Sequence, residues 1–217
     1  MVLILESKEI SQAVIGRLPR YYRYLGELEK MGIERVSSHE LSSLMHVTAS
    51  QIRQDFNNFG GFGQQGYGYN IHYLHEEIGN ILGLDQHHDM ILIGAGHLGS
   101  ALVNYMKFRS KGFDFRGAFD IREDLVGKEI GGIPIYHIST LKDYLAQNHI
   151  DIAVLTLPKG EALKVSEILS GSSISAVWNF AHVDLMMPEH IQVENVHLQD
   201  SLMKLSYSIK CNSDTEI

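Results

Sequence analysis

The chain has 217 residues, enough for two domains of ordinary size, and its 44% hydrophobic and 20% charged residues exclude a disordered or fibrous class. A single cysteine, Cys211, excludes an intrachain disulfide framework and a cysteine cage for zinc, which points to a reducing, cytoplasmic setting. The net charge of −8 argues against a nucleic-acid partner for the whole chain, but it arises entirely after residue 70, because the first 70 residues carry seven basic and seven acidic side chains. The opening Met1-Val2-Leu3-Ile4-Leu5-Glu6 lacks the basic flank and cleavage site of a signal peptide. No stretch reaches the roughly 18 apolar residues of a membrane span, so neither export nor membrane insertion is expected.

From Ile10 to Met31, the residues Val14, Leu18, Tyr21, Tyr22, Leu25 and Leu28 recur at helical spacing and Gly32 supplies a stop, which predicts one amphipathic helix. Pro19 must then start that helix or bend it. Arg17, Arg20 and Arg23 form a basic stripe, either functional or simply solvated. Ser37-Ser38-His39-Glu40 has capping-box form and opens a short helix bearing Leu41, Leu44 and Met45. Thr48, with Gln51 three residues on, opens another whose inward face is Ala49, Ile52 and Phe56, and whose outward face is Ser50, Gln51, Arg53, Gln54 and Asn57. Two short helices joined by a tight turn, the second presenting an arginine and amides, have the helix-turn-helix layout. Arg53 suits guanine edges or phosphate, and Gln51 and Gln54 suit adenine or phosphate; a helical hairpin with a polar face is the alternative.

Residues 59–69 hold five glycines and four aromatics, a composition suited to a β-hairpin wing, and they lack the strand and the Lys-Ser/Thr of a phosphate loop. A further helix is expected over residues 71–84, with Ile71, Leu74, Ile78, Ile81 and Leu82 inward, and Asp85-Gln86-His87-His88-Asp89 as the linker. His72, His75, His87 and His88 invite a metal site. No carboxylate or cysteine partner is evident, so packing or surface roles are assigned and no metal is expected.

Met90-Ile91-Leu92-Ile93 is a buried-strand run followed at once by Gly94-Ala95-Gly96-His97-Leu98-Gly99 and then by helical Leu98, Leu102, Tyr105 and Met106. This is the order of a dinucleotide-binding turn. Gly94 permits the turn, Gly96 lets a pyrophosphate approach and Gly99 allows close helix packing. A second strand, 115–120, ends in Asp120, 21 residues after Gly99, where a carboxylate accepts ribose hydroxyls and repels a 2′-phosphate. That favours NAD(H), with Arg122 keeping NADP(H) open. Strands at 133–136, 150–157 and 174–180 alternate with helices at 140–147 and 161–169, giving a parallel sheet. Asn179-Phe180-Ala181-His182 closes one of those strands, where a ligand can sit; Asn179 and Tyr105 are counted with the cofactor residues and His182 as the one candidate acid. No Tyr is followed four residues on by Lys, and no catalytic residue is assigned. Leu198, Leu202, Leu205 and Ile209 form a last apolar helical stripe, for its own domain or for a partner chain.

The chain resembles the Rex redox-sensing transcriptional repressors over nearly its whole length. The resemblance rests on Arg17-Leu18-Pro19, Tyr22-Arg23-Tyr24-Leu25, residues 36–41, Val47-Thr48-Ala49, Ile52-Arg53, residues 59–70, the 94–99 turn, Phe119-Asp120 and Asn179-Phe180-Ala181. It implies an α/β fold with a winged helix-turn-helix domain (1–84), a Rossmann domain (85–195) and a swapped C-terminal helix and tail (196–217) in a homodimer. It also implies operator DNA held when NAD+ dominates and released when NADH binds, contacts from the recognition helix around Arg53, and a wing at the glycine-rich hairpin. Arg23 and Tyr105 then belong to an interdomain switch, with His197 where the family carries an aspartate. Gln54 and Gln64-Gln65 stand where the family carries cations, and each lost cation removes a phosphate contact and flattens the salt dependence. The rival readings are a Rex-like NAD(H) binder without operator binding, and an enzyme or CoA-type nucleotide binder.

Overall fold

In a computed structural model that describes residues 10–59, 63–64, 67–105 and 111–213, the expected first helix is two: α1 (Gln12–Ile15) and α2 (Leu18–Lys30). Pro19 sits in the first turn of α2, where its missing N–H costs nothing, so it marks a helix start and not a bend. Beyond Met31 the chain turns at Gly32, whose φ of +74° favours glycine. Strand β1 (Arg35–Val36) leads into α3 (Ser38–Met45), where the Ser37 hydroxyl accepts the Glu40 N–H at 3.1 Å and the Glu40 carboxylate accepts the Ser37 N–H at 2.7 Å, completing the capping box. His46, in the left-handed region at φ +52°, makes the tight turn to α4 (Ala49–Asn57), and the Thr48 hydroxyl accepts the Gln51 N–H.

Strands β2 (Gly63–Gln64) and β3 (Gly68–Asn70) form an antiparallel hairpin, and β1 pairs β3 on its other side. Gly68 requires its missing side chain, since a Cβ there would stand 2.9 Å from the Val36 carbonyl oxygen. Asn70 caps α5 (Ile71–Ile81), and Leu18, Tyr21, Leu25, Leu41, Met45, Ile52, Phe56, Ile71, Leu74 and Ile78 close one core. Ile81, expected inward, is on the surface.

The chain divides into two compact units between Gln86 and His87. The strand after the division starts earlier than its apolar run suggests: β4 is His88–Ile93, so His88 and Asp89 are strand and not linker. After it come α6 (His97–Val103), β5 (Phe113–Asp120), β6 (Glu129–Ile130), β7 (Ile133–His137) and α7 (Leu141–Gln147). The chain continues through β8 (Ile152–Leu155), α8 (Lys159–Ser170), β9 (Ala176–Asn179), β10 (Gln192–Asn195) and α9 (Leu198–Ser213). The sheet runs β10-β9-β8-β4-β5-β7-β6, parallel throughout except for the short antiparallel edge strand β6. Ile91 and Ile93 face one core with α7 and α8, while Met90 and Leu92 face another beside Leu102 and Val103 of α6. Burial on both faces is why the strand reads as an unbroken apolar run. Strand order reverses at β4, so the crevice where such sheets bind ligands opens at the carboxyl ends of β4 and β8.

One polar group lies inside the first core. Asp55 of α4 is fully buried and accepts four hydrogen bonds, from Arg17 Nε (2.7 Å) and Nη2 (2.8 Å), the Tyr21 hydroxyl (2.8 Å) and Gln51 Nε2 (2.8 Å). Arg17 therefore leaves the expected basic stripe. Burial pushes the Asp55 carboxyl up, but the Arg17, Gln51 and Tyr21 hydrogen bonds outweigh it and hold it below its ordinary 3.8. Asp55→Ala is expected to cost about 3 kcal/mol in urea unfolding at pH 7, because it strands Arg17. Since the folded-state value is the lower one, the ionised group's contribution is present above the unfolded chain's value of about 4 and is lost as pH falls from there through the lower folded-state value. Urea titrations between about pH 5 and pH 3 should show the parent losing more stability than Asp55→Asn.

Candidate functional site

The turn after β4 assigns each glycine a separate reason. Gly94 has φ +103°, and a Cβ there would stand 2.7 Å from the Thr156 carbonyl oxygen. Gly99 lies so close to the Gly94 carbonyl oxygen that no Cβ fits between them. Gly96 has nothing within 4 Å of the place a Cβ would take, so the space over the turn is open to a ligand. The first N–H groups of α6, from His97, Leu98 and Gly99, have no acceptor within the helix and lie beside that space. Ala95 is buried, whereas His97 and Leu98 are exposed.

Asp120 ends β5 next to the turn. Its Oδ2 accepts the Ala95 N–H at 2.7 Å and its Oδ1 the Arg122 N–H at 2.9 Å, while the Arg122 side chain reaches the Ala95 carbonyl at 3.4 Å. Beyond Asp120, a small cleft of about 60 Å³ is lined by Phe119, Ile121, Ile138, Leu157, Glu161 and Val165. A carboxylate beside an apolar slot suits a sugar joined to a flat heterocycle.

Other expected residues are placed elsewhere. Asn179 is fully buried and donates both amide protons, to the Val183 carbonyl (2.7 Å) and Asn195 Oδ1 (2.8 Å), while its oxygen accepts the Ala181 N–H. It braces a loop two strands away from the turn and has no proton left for a cofactor. Tyr105 lies beyond the far end of α6, about 13 Å of helix from Gly96. His182 is exposed and stacks on His197, with ring centroids 5.7 Å apart; His197 Nε2 pairs with Asp184 at 3.0 Å, and its Nδ1 is buried without a partner. No group of three or more His, Cys, Asp or Glu among the described residues is arranged to hold a metal ion.

In the first unit, α4 exposes Ser50, Arg53, Gln54 and Asn57 together, and Arg53 Nη1 donates to Ser38 at 2.9 Å. Gln51, expected on the same face, is turned to Asp55. Gln64 lies in β2, and Gln65 falls outside the described residues, as do Met1–Glu6 and Met106. Arg23 is exposed, its guanidinium carbon 5.3 Å from the Tyr24 ring centroid. The carboxylate partner not evident for the histidines is Glu29 on α2, bonded to His72 Nδ1 at 2.6 Å and His75 Nδ1 at 3.0 Å. This joins α5 to α2, and His75 also stacks on Tyr22.

A helix-turn-helix with a wing, followed by a doubly wound sheet whose glycine turn opens at the strand reversal, defines a DNA-binding regulator governed by a nucleotide. A family model described as a putative DNA-binding protein N-terminus matches residues 9–57, and one described as a CoA binding domain matches residues 85–183. The chain is 51% identical over 201 residues to the redox-sensing transcriptional repressor Rex of Thermoanaerobacter pseudethanolicus, spanning 93% of this chain and 90% of that one. It is 51% identical over 207 residues to Rex of Clostridioides difficile, spanning 95% and 99%. The crystal structure of RSP in complex with beta-NAD+ and operator DNA matches with a TM-score of 0.89 at 49% identity, covering 95% of each chain. RSP in complex with beta-NADH matches with a TM-score of 0.89 at 46% identity, covering 96% of this chain and 98% of that one. The chain belongs to the Rex family of redox-sensing transcriptional repressors.

Gly99→Ala is expected to lower the melting temperature by roughly 5 °C or more, because helix or turn must move. Gly96→Ala, at an open position with φ −74°, should melt within about 2 °C of the parent. Differential scanning calorimetry on the two variants checks the contrast.

Proposed function

We propose that this chain is a homodimeric, cytoplasmic repressor that holds operator DNA through its first unit and releases it when NADH occupies the turn of its second. The observation that carries this reading is likeness along almost the whole chain to RSP, whose structures include one with beta-NAD+ and operator DNA and one with beta-NADH. The CoA binding model covers only the second unit, so it does not favour a CoA-type binder, and the same full-length likeness does not favour an enzyme or a relative without operator binding.

The open space at Gly96, the free N–H groups of α6, the Asp120 carboxylate and the apolar slot together fit a dinucleotide. In this reading the pyrophosphate lies against Gly94, Ala95, Gly96, His97, Leu98 and Gly99, and Asp120 accepts from the adenosine ribose. The adenine lies against Ile121, Ile138, Leu157 and Val165. The dinucleotide is read and not consumed: its contribution is a binding free energy that differs between two arrangements of the protein. Ser50, Arg53, Gln54 and Asn57 face DNA, and Gln64 and Gln65 are assigned to DNA contact as well. Gln51 holds Asp55 and acts behind that surface. Arg23, Tyr105 and His197 are assigned to the switch between units, and no residue is assigned to catalysis.

Operator DNA titrated with the protein at several salt concentrations tests the reading, with NAD+ in one series and NADH in the other. Binding with NAD+ and its loss on adding NADH is expected, with a shallow salt slope because amides replace cations. No sequence-specific binding under either nucleotide would overturn the reading. For the dimer, Leu198, Leu202, Leu205 and Ile209 of α9 are all more than half exposed within one chain, a stripe suited to a second copy. Leu202→Asp together with Ile209→Asp should halve the mass in sedimentation equilibrium.

A further inference from the structure

A single peptide group in the glycine turn is held from both sides by side chains at the carboxyl ends of two different strands. The Gly94 carbonyl accepts the Thr156 hydroxyl at 2.6 Å, and the N–H of the same peptide, from Ala95, donates to Asp120 Oδ2 at 2.7 Å. Thr156 follows β8 and Asp120 ends β5, and these are the two strands that flank β4. Two backbone bonds secure the same place, from the Gly94 N–H to the Phe119 carbonyl (2.8 Å) and from the Thr156 N–H to the Ile93 carbonyl (2.9 Å). Neither of those fixes the rotation of the Gly94–Ala95 peptide plane. Gly94, at φ +103°, is the residue whose backbone has the greatest freedom to let that plane turn.

We propose that Thr156 is a positioning residue of the dinucleotide site: with Asp120 opposite, its hydroxyl locks the Gly94–Ala95 peptide so that the following N–H groups stay aimed at the pyrophosphate. This rests on the reading that the turn binds a dinucleotide. Asp120 thereby has two tasks, since the carboxylate set to meet the ribose also holds the turn, and Thr156 has only the second. Loss of the hydroxyl leaves the Gly94 carbonyl, a buried acceptor, without its side-chain donor. The peptide can then rotate toward another donor, carrying the next N–H groups with it.

Thr156→Val removes the hydroxyl at nearly constant shape, Thr156→Ala removes it without added bulk, and Thr156→Ser keeps it. Dissociation constants for NADH and ADP-ribose, measured on the full chain by calorimetry, are expected to rise about tenfold in the Val and Ala variants and to stay within about twofold of the parent in the Ser variant. Adenosine, which has no pyrophosphate, is measured by competition against NADH and should weaken less than about twofold in all three. An unchanged ADP-ribose affinity in the Val and Ala variants would overturn the inference. So would a loss in the Ser variant equal to theirs, or losses for adenosine equal to those for ADP-ribose, since either marks general loosening. A parent protein that binds none of the three overturns the dinucleotide reading itself.

Discussion

The second unit is organised by one close approach: the first turn of α6 lies so near the end of β4 that Gly99 and the Gly94 carbonyl leave no room for a side-chain carbon. That proximity brings unpaired helix N–H groups over the carboxyl ends of the strands, at the place where the strand order reverses. From it follow the positive φ at Gly94, the buried methyl of Ala95 and the reach of Asp120 to a backbone N–H one strand away. A single methyl group in the wrong place would therefore disturb packing and binding surface together.

The first unit solves a different problem with a buried charge. A carboxylate inside an apolar core is tolerated only where each lone pair is met, and Asp55 meets Arg17 twice, Tyr21 and Gln51. These donors lie on or beside α2 and on α4, so the network fixes how α4 is rotated about its own axis. That rotation decides which residues face outward. Ser50, Arg53, Gln54 and Asn57 share the exposed face because Asp55, Ile52 and Phe56 face in.

Much of this was legible in the residue order, and what was not has a common cause. The capping box at Ser37, the cap at Thr48 and the strand-turn-helix around Gly94 are local signals, complete within a few residues. Pro19 was ambiguous because a proline in a periodic stretch can open or bend a helix, and the break at Gly16-Arg17 decides between them. Asp55 carried no signal, since its main partner is 38 positions away, and Thr156 lies 62 positions from the carbonyl that it holds. Glu29 is likewise 43 positions from His72, so a spacing rule could not join them. Gln51 was misplaced because its position on the helix suits both water and Asp55. The bonds of Asn179 gave no signal either, since Asn195 lies 16 positions away on the next strand. Strands β6 and β10 are too short and too polar to stand out.

Those two short strands have a consequence for how the protein behaves at high concentration. An open sheet ends in two rows of unpaired backbone groups, and neighbouring molecules can add to them. On one side β6 reverses direction after two residues, offering little length to copy. On the other, β10 is four residues long and turns Gln192 and Glu194 to solvent, so an incoming strand would meet a charge at once. Both edges of the parallel sheet that holds the ligand crevice are thus short, and one carries a charge, features that disfavour edge-to-edge polymerisation.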